Sequence, residues 1–147
     1  MTYRRLAVLV LFPALFWLPA YAHHVAVVVH QQNPAANVSS PELAKIFKSE
    51  TRKWPDGLDI VVVLNRNSAV SMQIVARLAG MPNGKARAFI AAHRDYFVLT
   101  DSDAEVLSLV SGKPGALGMV DVRAVDNRIK VLKVDGKLPL EKTYLPH

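Results

Sequence analysis

The stretch Ile60-Val61-Val62-Val63-Leu64-Asn65-Arg66-Asn67-Ser68-Ala69-Val70-Ser71 joins two kinds of hydrophobic pattern through a polar break. Its first part is an unbroken apolar, largely β-branched run, the pattern of a strand covered on both faces. Polar residues from Asn65 to Ser68 interrupt it. Met72, Val75, Leu78 and Ala79 then recur on one face of a helix that Gly80 is placed to end. A strand that feeds a helix through a short polar loop is the building unit of an α/β sheet.

Toward the N-terminus, Trp54-Pro55-Asp56-Gly57 predicts a turn, because proline fixes one dihedral angle and glycine accepts a positive one. Ser39-Ser40 before Pro41 and Glu42 predicts a helix start, with Leu43, Ile46 and Phe47 as its buried stripe. Ahead of a polar loop from Gln31 to Asn37, the run Val25 to Val29 is a second doubly covered strand. Toward the C-terminus, Phe89, Ile90, His93 and Phe97 predict a helical face between about Asn83 and Phe97. Ser102-Asp103-Ala104-Glu105 predicts a capping box opening a helix with Val106, Leu109 and Val110 inward and Gly112 at its end. Ala116 to Val120 and Ile129 to Val134 predict two closing strands, the second running into an Asp135-Gly136 turn. This order implies one α/β domain, a central sheet flanked by helices.

Residues 1–22 read as a secretory signal peptide rather than as part of that domain. Arg4 and Arg5 form a basic start, Leu6 to Leu18 an apolar run broken by Pro13, and Ala20-Tyr21-Ala22 a small-x-small cleavage site. Cleavage after Ala22 leaves residues 23–147 as the mature domain. The apolar run is shorter than the roughly 20 residues that span a bilayer. The chain has no cysteine, which excludes disulfides, thiolate metal sites and a lipidated cysteine. An untethered exported protein fits the periplasm. Loss of the two arginines lowers the formal charge of +6 by two. The remaining basic bias suits a small anionic ligand or an anionic surface.

Ligands of open α/β sheets sit outside the carboxyl ends of strands, which makes the loop from Asn65 to Ser71 the candidate site. The first-turn N–H groups and the helix dipole favour an anion there. Asn67, Ser68 and Ser71 add neutral donors, and Arg66 adds a planar charged fork matched to phosphate or carboxylate. The same residues also admit a structural account, with Asn67 or Ser68 capping the helix and Arg66 a solvated charge. Gly115 and Gly118 are too few for a glycine-rich phosphate loop.

Five segments in order carry a resemblance. Val27-Val28-Val29-His30 is followed by Leu43-Ala44-Lys45-Ile46-Phe47 with Trp54-Pro55-Asp56-Gly57, then by Arg66 with Ser68. Ser102-Asp103-Ala104-Glu105-Val106 and Pro114-Gly115-Ala116-Leu117-Gly118-Met119-Val120 complete the series. Together they resemble the phosphate-binding proteins of bacterial ABC uptake systems, which have the type 2 periplasmic-binding-protein fold. The resemblance implies a non-enzymatic protein without a cofactor that binds inorganic phosphate or a similar oxyanion. It also implies a membrane transporter, channel or sensor kinase as partner. Members of that family close two lobes around the anion, and this chain resembles a single lobe, so weak binding is expected. Residue by residue, Arg66 and Ser68 match the family's anion loop, while Asn67 and Ser71 correspond by position. The loop here is shorter and lacks the family's aspartate and glycine, and Met119 stands where a tyrosine is usual.

Other chemistry has less support. His23 and His24 would form a copper-chelating N-terminus after cleavage, with His30 as a further nitrogen if the chain folds back. Lys45, Lys48, Arg52 and Lys53 form a basic cluster that reads as a solvated face, and an exported protein has no nucleic acid to meet. Trp54, Phe47, Phe89 and Phe97 read as core, His93 as a hydrogen-bonded core or boundary residue, and Asp101 and Asp103 as helix-start charges. No nucleophile or metalloprotease motif is present. A fold kept for docking on a partner after loss of the ligand is the alternative to anion binding.

Overall fold

A computed structural model describes residues 24–146, and the predicted signal segment and His23 lie outside the described residues. The chain runs β1 (Val25–His30), the two-residue β2 (Asn37–Val38), α1 (Ser40–Phe47), β3 (Val61–Asn65), α2 (Ala69–Ala79) and α3 (Asn83–Ala92). It continues with β4 (Phe97–Thr100), α4 (Asp103–Gly112), β5 (Ala116–Asp121), a 3-10 turn at Val122–Ala124, β6 (Ile129–Val131) and β7 (Lys133–Val134). The main sheet has the order β4-β3-β5-β1-β6. β3 is parallel to β4 and β5, whereas β1 runs antiparallel to β5 and β6. β2 and β7 form a small parallel pair. No helix among the described residues is long and apolar enough to cross a membrane.

The continuous apolar runs are explained by helices on both faces. Val27, Val29, Val62 and Leu64 join Leu43, Phe47, Val75 and Ile90 on the α1–α3 side. Ala26, Val28, Val61 and Val63 meet Val106, Leu107 and Val110 of α4 on the other. α4 lies close because β5 offers Gly118, where a Cβ would meet Val106 Cγ1 at 2.7 Å and Val110 Cγ2 at 2.9 Å. Gly115 is equally a packing residue, since a Cβ there would meet the Asp59 carbonyl oxygen at 1.9 Å. Its own carbonyl accepts from Nε1 of the buried Trp54 at 3.0 Å.

Polar stitches fix the ends of these elements. Ser39 caps α1 in a complete capping box with Glu42. Asp135, from the turn after β7, adds a second carboxylate to that helix start by accepting from Ser40 N at 2.8 Å and from the Ser40 hydroxyl. Those hydrogen bonds hold its carboxyl below the usual value. The buried Tyr144 hydroxyl accepts from Val27 N at 3.2 Å and donates to the Leu132 carbonyl at 2.5 Å. It thereby serves β1 where the β6–β7 run breaks, and burial pushes its phenol up to about 12.

Several expectations need correction. The helix after Asn83 ends at Ala92, and Phe97 belongs to an edge strand. Its spacing from His93 imitates a helical repeat, but Tyr96 N and Phe97 N both donate to the His93 carbonyl in a tight turn. In α4 the inward residues are Val106, Leu107 and Val110, while Leu109 is 45% exposed. Either flank completes a helical stripe around Val106 and Val110, and here Leu107 joins them in the core cluster with Val61, Val63, Ala116 and Val120. Gly112 ends α4, as expected. Ile129 to Val134 is split at Leu132 between two sheets, and Asn37 belongs to β2. On α2, Ile74 and Ala76 are buried with Val75 and Ala79, while Met72 and Leu78 are only partly covered.

Candidate anion site at the start of α2

β3 delivers Asn65 to the carboxyl edge of the sheet, where the chain turns into α2. Asn65 sets the turn with its own atoms, its Oδ1 accepting from Asn67 N at 2.9 Å and its carbonyl from Ser68 N at 3.1 Å. Ser68 is the N-cap. Its hydroxyl oxygen accepts from Ser71 N at 3.2 Å and lies 3.0 Å from the Ser71 hydroxyl. The first turn carries no acid. The amides of Ala69 and Val70, as the first two helical residues, have no intrahelical acceptor.

A cavity of about 390 Å³ opens at this turn, lined by Val25, Asn67, Ser68, Ala69, Val70, Asp103 and Asp121. Two of the four predicted site residues, Asn67 and Ser68, line it. Ser71 is buried behind Ser68 at 1% exposure. Arg66 is not in the lining: its Nε lies 2.9 Å from Asp101 Oδ1, and it donates to the carbonyls of Thr100 and Leu99 at 3.4 Å. Asn67 Nδ2 donates to the Asp101 carbonyl at 2.9 Å, so the loop is braced against the segment after β4. A second cleft of about 590 Å³, between α1, α2 and the C-terminal segment, is mostly apolar and offers Arg77 as its one charged lining group.

Sequence reasoning did not place Val25, Asp103 and Asp121 at this cavity. Asp103 does more than charge a helix start. Its Oδ1 accepts from Asn65 Nδ2 at 3.0 Å and its Oδ2 from Asp121 N at 2.9 Å, which ties the ends of β3 and β5 to α4. The Asp121 carboxylate accepts from Arg123 N, Nε and Nη2. The capping box of α4 is also modified. Ser102 accepts from Glu105 N at 3.2 Å, but Glu105 Oε2 accepts from Asp101 N at 2.9 Å instead of returning to Ser102. Neutral donors on the α2 side therefore face the carboxylates Asp103 and Asp121. The field is mixed, and the opening to solvent screens it.

The described histidines do not assemble a metal site with one another. His24 precedes β1 and His30 ends it, about 20 Å apart at strand rise, so these two described histidines do not share a ligand. His30 Nδ1 accepts from Gln32 N at 3.1 Å. His23 lies outside the described residues. Among the described residues no group of three or more histidine or acidic side chains could hold a metal ion. His93 Nδ1 is 2.7 Å from the Phe89 carbonyl, a local contact at the end of α3.

Residues 14–146 match the family model of a PBP superfamily domain. Three solved structures are similar in fold. One is an ABC-type phosphate transport receptor from Vibrio cholerae, 21% identical, with TM-score 0.63 over 79% of this chain and 48% of that one. Another, from Clostridium perfringens with bound phosphate and described as a phosphate ABC transporter substrate-binding protein, is 22% identical with TM-score 0.65 over 79% and 46%. The third, PstS from Borrelia burgdorferi, is 16% identical with TM-score 0.63 over 79% and 49%. The chain thus spans about half the length of these structures. No curated protein matches it in sequence.

Proposed function

Because the chain belongs to the PBP superfamily domain family, we propose that it is an exported, non-enzymatic protein that binds inorganic phosphate or a similar oxyanion weakly at the start of α2. Residues 1–22 direct export to the periplasm, and residues 23–147 form the binding domain. The observation that carries this reading is the cavity at the carboxyl edge of the sheet, where Asn67, Ser68 and the first-turn amides of α2 converge. The likeness to a relative solved with bound phosphate supports it. Ser71 orients the Ser68 hydroxyl. Arg66 joins by exchanging Asp101 for the anion. That exchange costs little, because Arg66 and Asp101 are both more than half exposed and such pairs contribute about 0–1 kcal/mol.

Affinity is low because the cavity is open and two of its lining residues are carboxylates. A dissociation constant of about 1 mM corresponds to about 4 kcal/mol, as much as a few screened, neutral-donor contacts supply. Calorimetric titration of phosphate into residues 23–147 and into Arg66→Ala tests the assignment. The variant is expected to bind several-fold more weakly, and indistinguishable heats would remove Arg66 as a ligand. Asp103 and Asp121 in the cavity wall favour a second reading, in which the fold docks on a transporter, channel or sensor kinase without an anion. A partner complex that forms equally with and without phosphate, together with a melting temperature insensitive to phosphate, would support that reading instead.

A further inference from the structure

Between Asp59 and Asp95 the chain carries Arg66, Arg77, Lys85, Arg87 and Arg94 and not one carboxylate. Arg66 is matched by Asp101. The other four are exposed on α2, on α3 and just beyond α3, and none has an ion-pair partner among the described residues. Elsewhere several cations are matched locally, as in Lys48–Glu50, Arg52–Asp95, Lys53–Asp59 and Arg128–Asp126. The exposed Lys113, Lys133 and Lys142 also lack an ion pair among the described residues, but they lie in stretches that carry acids such as Asp135 and Glu141 or stand singly. An acid-free helical layer beside such matched surfaces is a positive patch in search of a counter-charge.

We propose that the outer surface of α2 and α3 is an electrostatic docking face for an anionic lipid bilayer. A single small anion requires convergent donors, and these four cations are spread over two helices and the following turn. A protein partner is normally anchored by large apolar or aromatic side chains. Among the described residues, the large apolar side chains that are exposed, Leu58, Leu109, Leu138 and Leu140, all lie outside α2 and α3. Spread cations without anchors suit a planar, diffuse negative surface, where each adds about five-fold to partitioning. The face is separate from the cavity at the start of α2, and the inference does not depend on phosphate binding.

Vesicle co-sedimentation of residues 23–147, which contain every described element, tests it. The protein is expected to sediment with phosphatidylcholine vesicles holding about 30 mol% phosphatidylglycerol, and not with phosphatidylcholine alone. Binding should fall at least ten-fold when salt is raised to about 0.3 M. Lys85→Glu with Arg87→Glu should abolish it. Lys85→Gln with Arg87→Gln, which introduces no repulsion and keeps helical propensity, should weaken it more than ten-fold. Lys133→Glu with Lys142→Glu reverses the same charge elsewhere and should retain most of the binding, less only the general loss of net charge. Absence of wild-type binding, or equal loss in the two charge-reversed proteins, overturns the proposal. Binding to an immobilised acidic polypeptide without binding to vesicles overturns it in favour of an acidic protein partner.

Discussion

The starts of α2 and α4 stand at the same edge of the sheet, joined by the Asn65–Asp103 hydrogen bond, and each is capped by a serine. Their surroundings differ. α4 opens with Asp103 and Glu105, whose carboxylates accept from Asn65, from Asp121 N and from Asp101 N. α2 opens with no acid and only neutral donors. Two helix ends with similar backbone polarity are thus made unequal by side chains. The one that already carries its own negative charge has little use for a ligand, and the other is left with amides facing a cavity.

That contrast can be broken from either side. The largest effect is expected from Gly118→Ala, whose methyl would collide with Val106 and Val110 and lift α4 from the sheet. Stability should fall by about 1–3 kcal/mol. Hydrogen-exchange protection should drop in α4 and persist in α2, and an unchanged denaturation midpoint would remove Gly118 as a required contact. Next comes Asp103→Ala, which strands Asn65 Nδ2 and Asp121 N and should cost about 1–3 kcal/mol. It also takes a carboxylate out of the cavity wall, so phosphate should bind more tightly to the less stable protein. A parallel loss of stability and affinity would contradict the electrostatic account.

A third helix start extends the contrast to pH. Asp135 serves α1 from a distance, and hydrogen bonds from Ser40 hold its carboxyl below the ordinary carboxylate range. A group depressed on folding adds stability above its unfolded value, and that stability is lost as pH falls through the folded value. The wild-type melting temperature should therefore decline more steeply below about pH 4 than that of Asp135→Asn. Parallel acid profiles would show that the Ser40 contact contributes nothing in solution. The smallest change in stability belongs to Ser68→Asp, which keeps the cap and adds negative charge at the helix start, a gain of about 0.3–1 kcal/mol. It makes α2 resemble α4, and stabilisation by phosphate should vanish with it.

The legibility of the chain follows the range of the interactions. β1 and β3 could be read because a strand covered on both faces needs apolar residues at consecutive positions, and Ser39 with Glu42 announces α1 within four residues. The edge strand β4 was hidden. It is four residues long, Val98 and Leu99 are only half buried, and Phe97 happens to fall in helical register with Phe89 and His93. At the candidate site, the loop was visible as a strand-to-helix junction and Ser68 as its cap. The turn of Arg66 toward Asp101, the burial of Ser71 and the arrival of Asp103 were not. Asp103 reaches Asn65 across 38 residues, through a strand order that no local pattern specifies. The structure corrected the environment of the loop more than its location.

On the proposed reading, the start of α2, and not that of α4, receives the anion. Backbone amide resonances followed during a phosphate titration of residues 23–147 test it most directly. Saturating shifts are expected at Asn67, Ser68, Ala69 and Val70, with little change at Asp103, Ala104 and Glu105. Equal shifts at both helix starts, or no saturating shift at Ala69 and Val70, would contradict the claim.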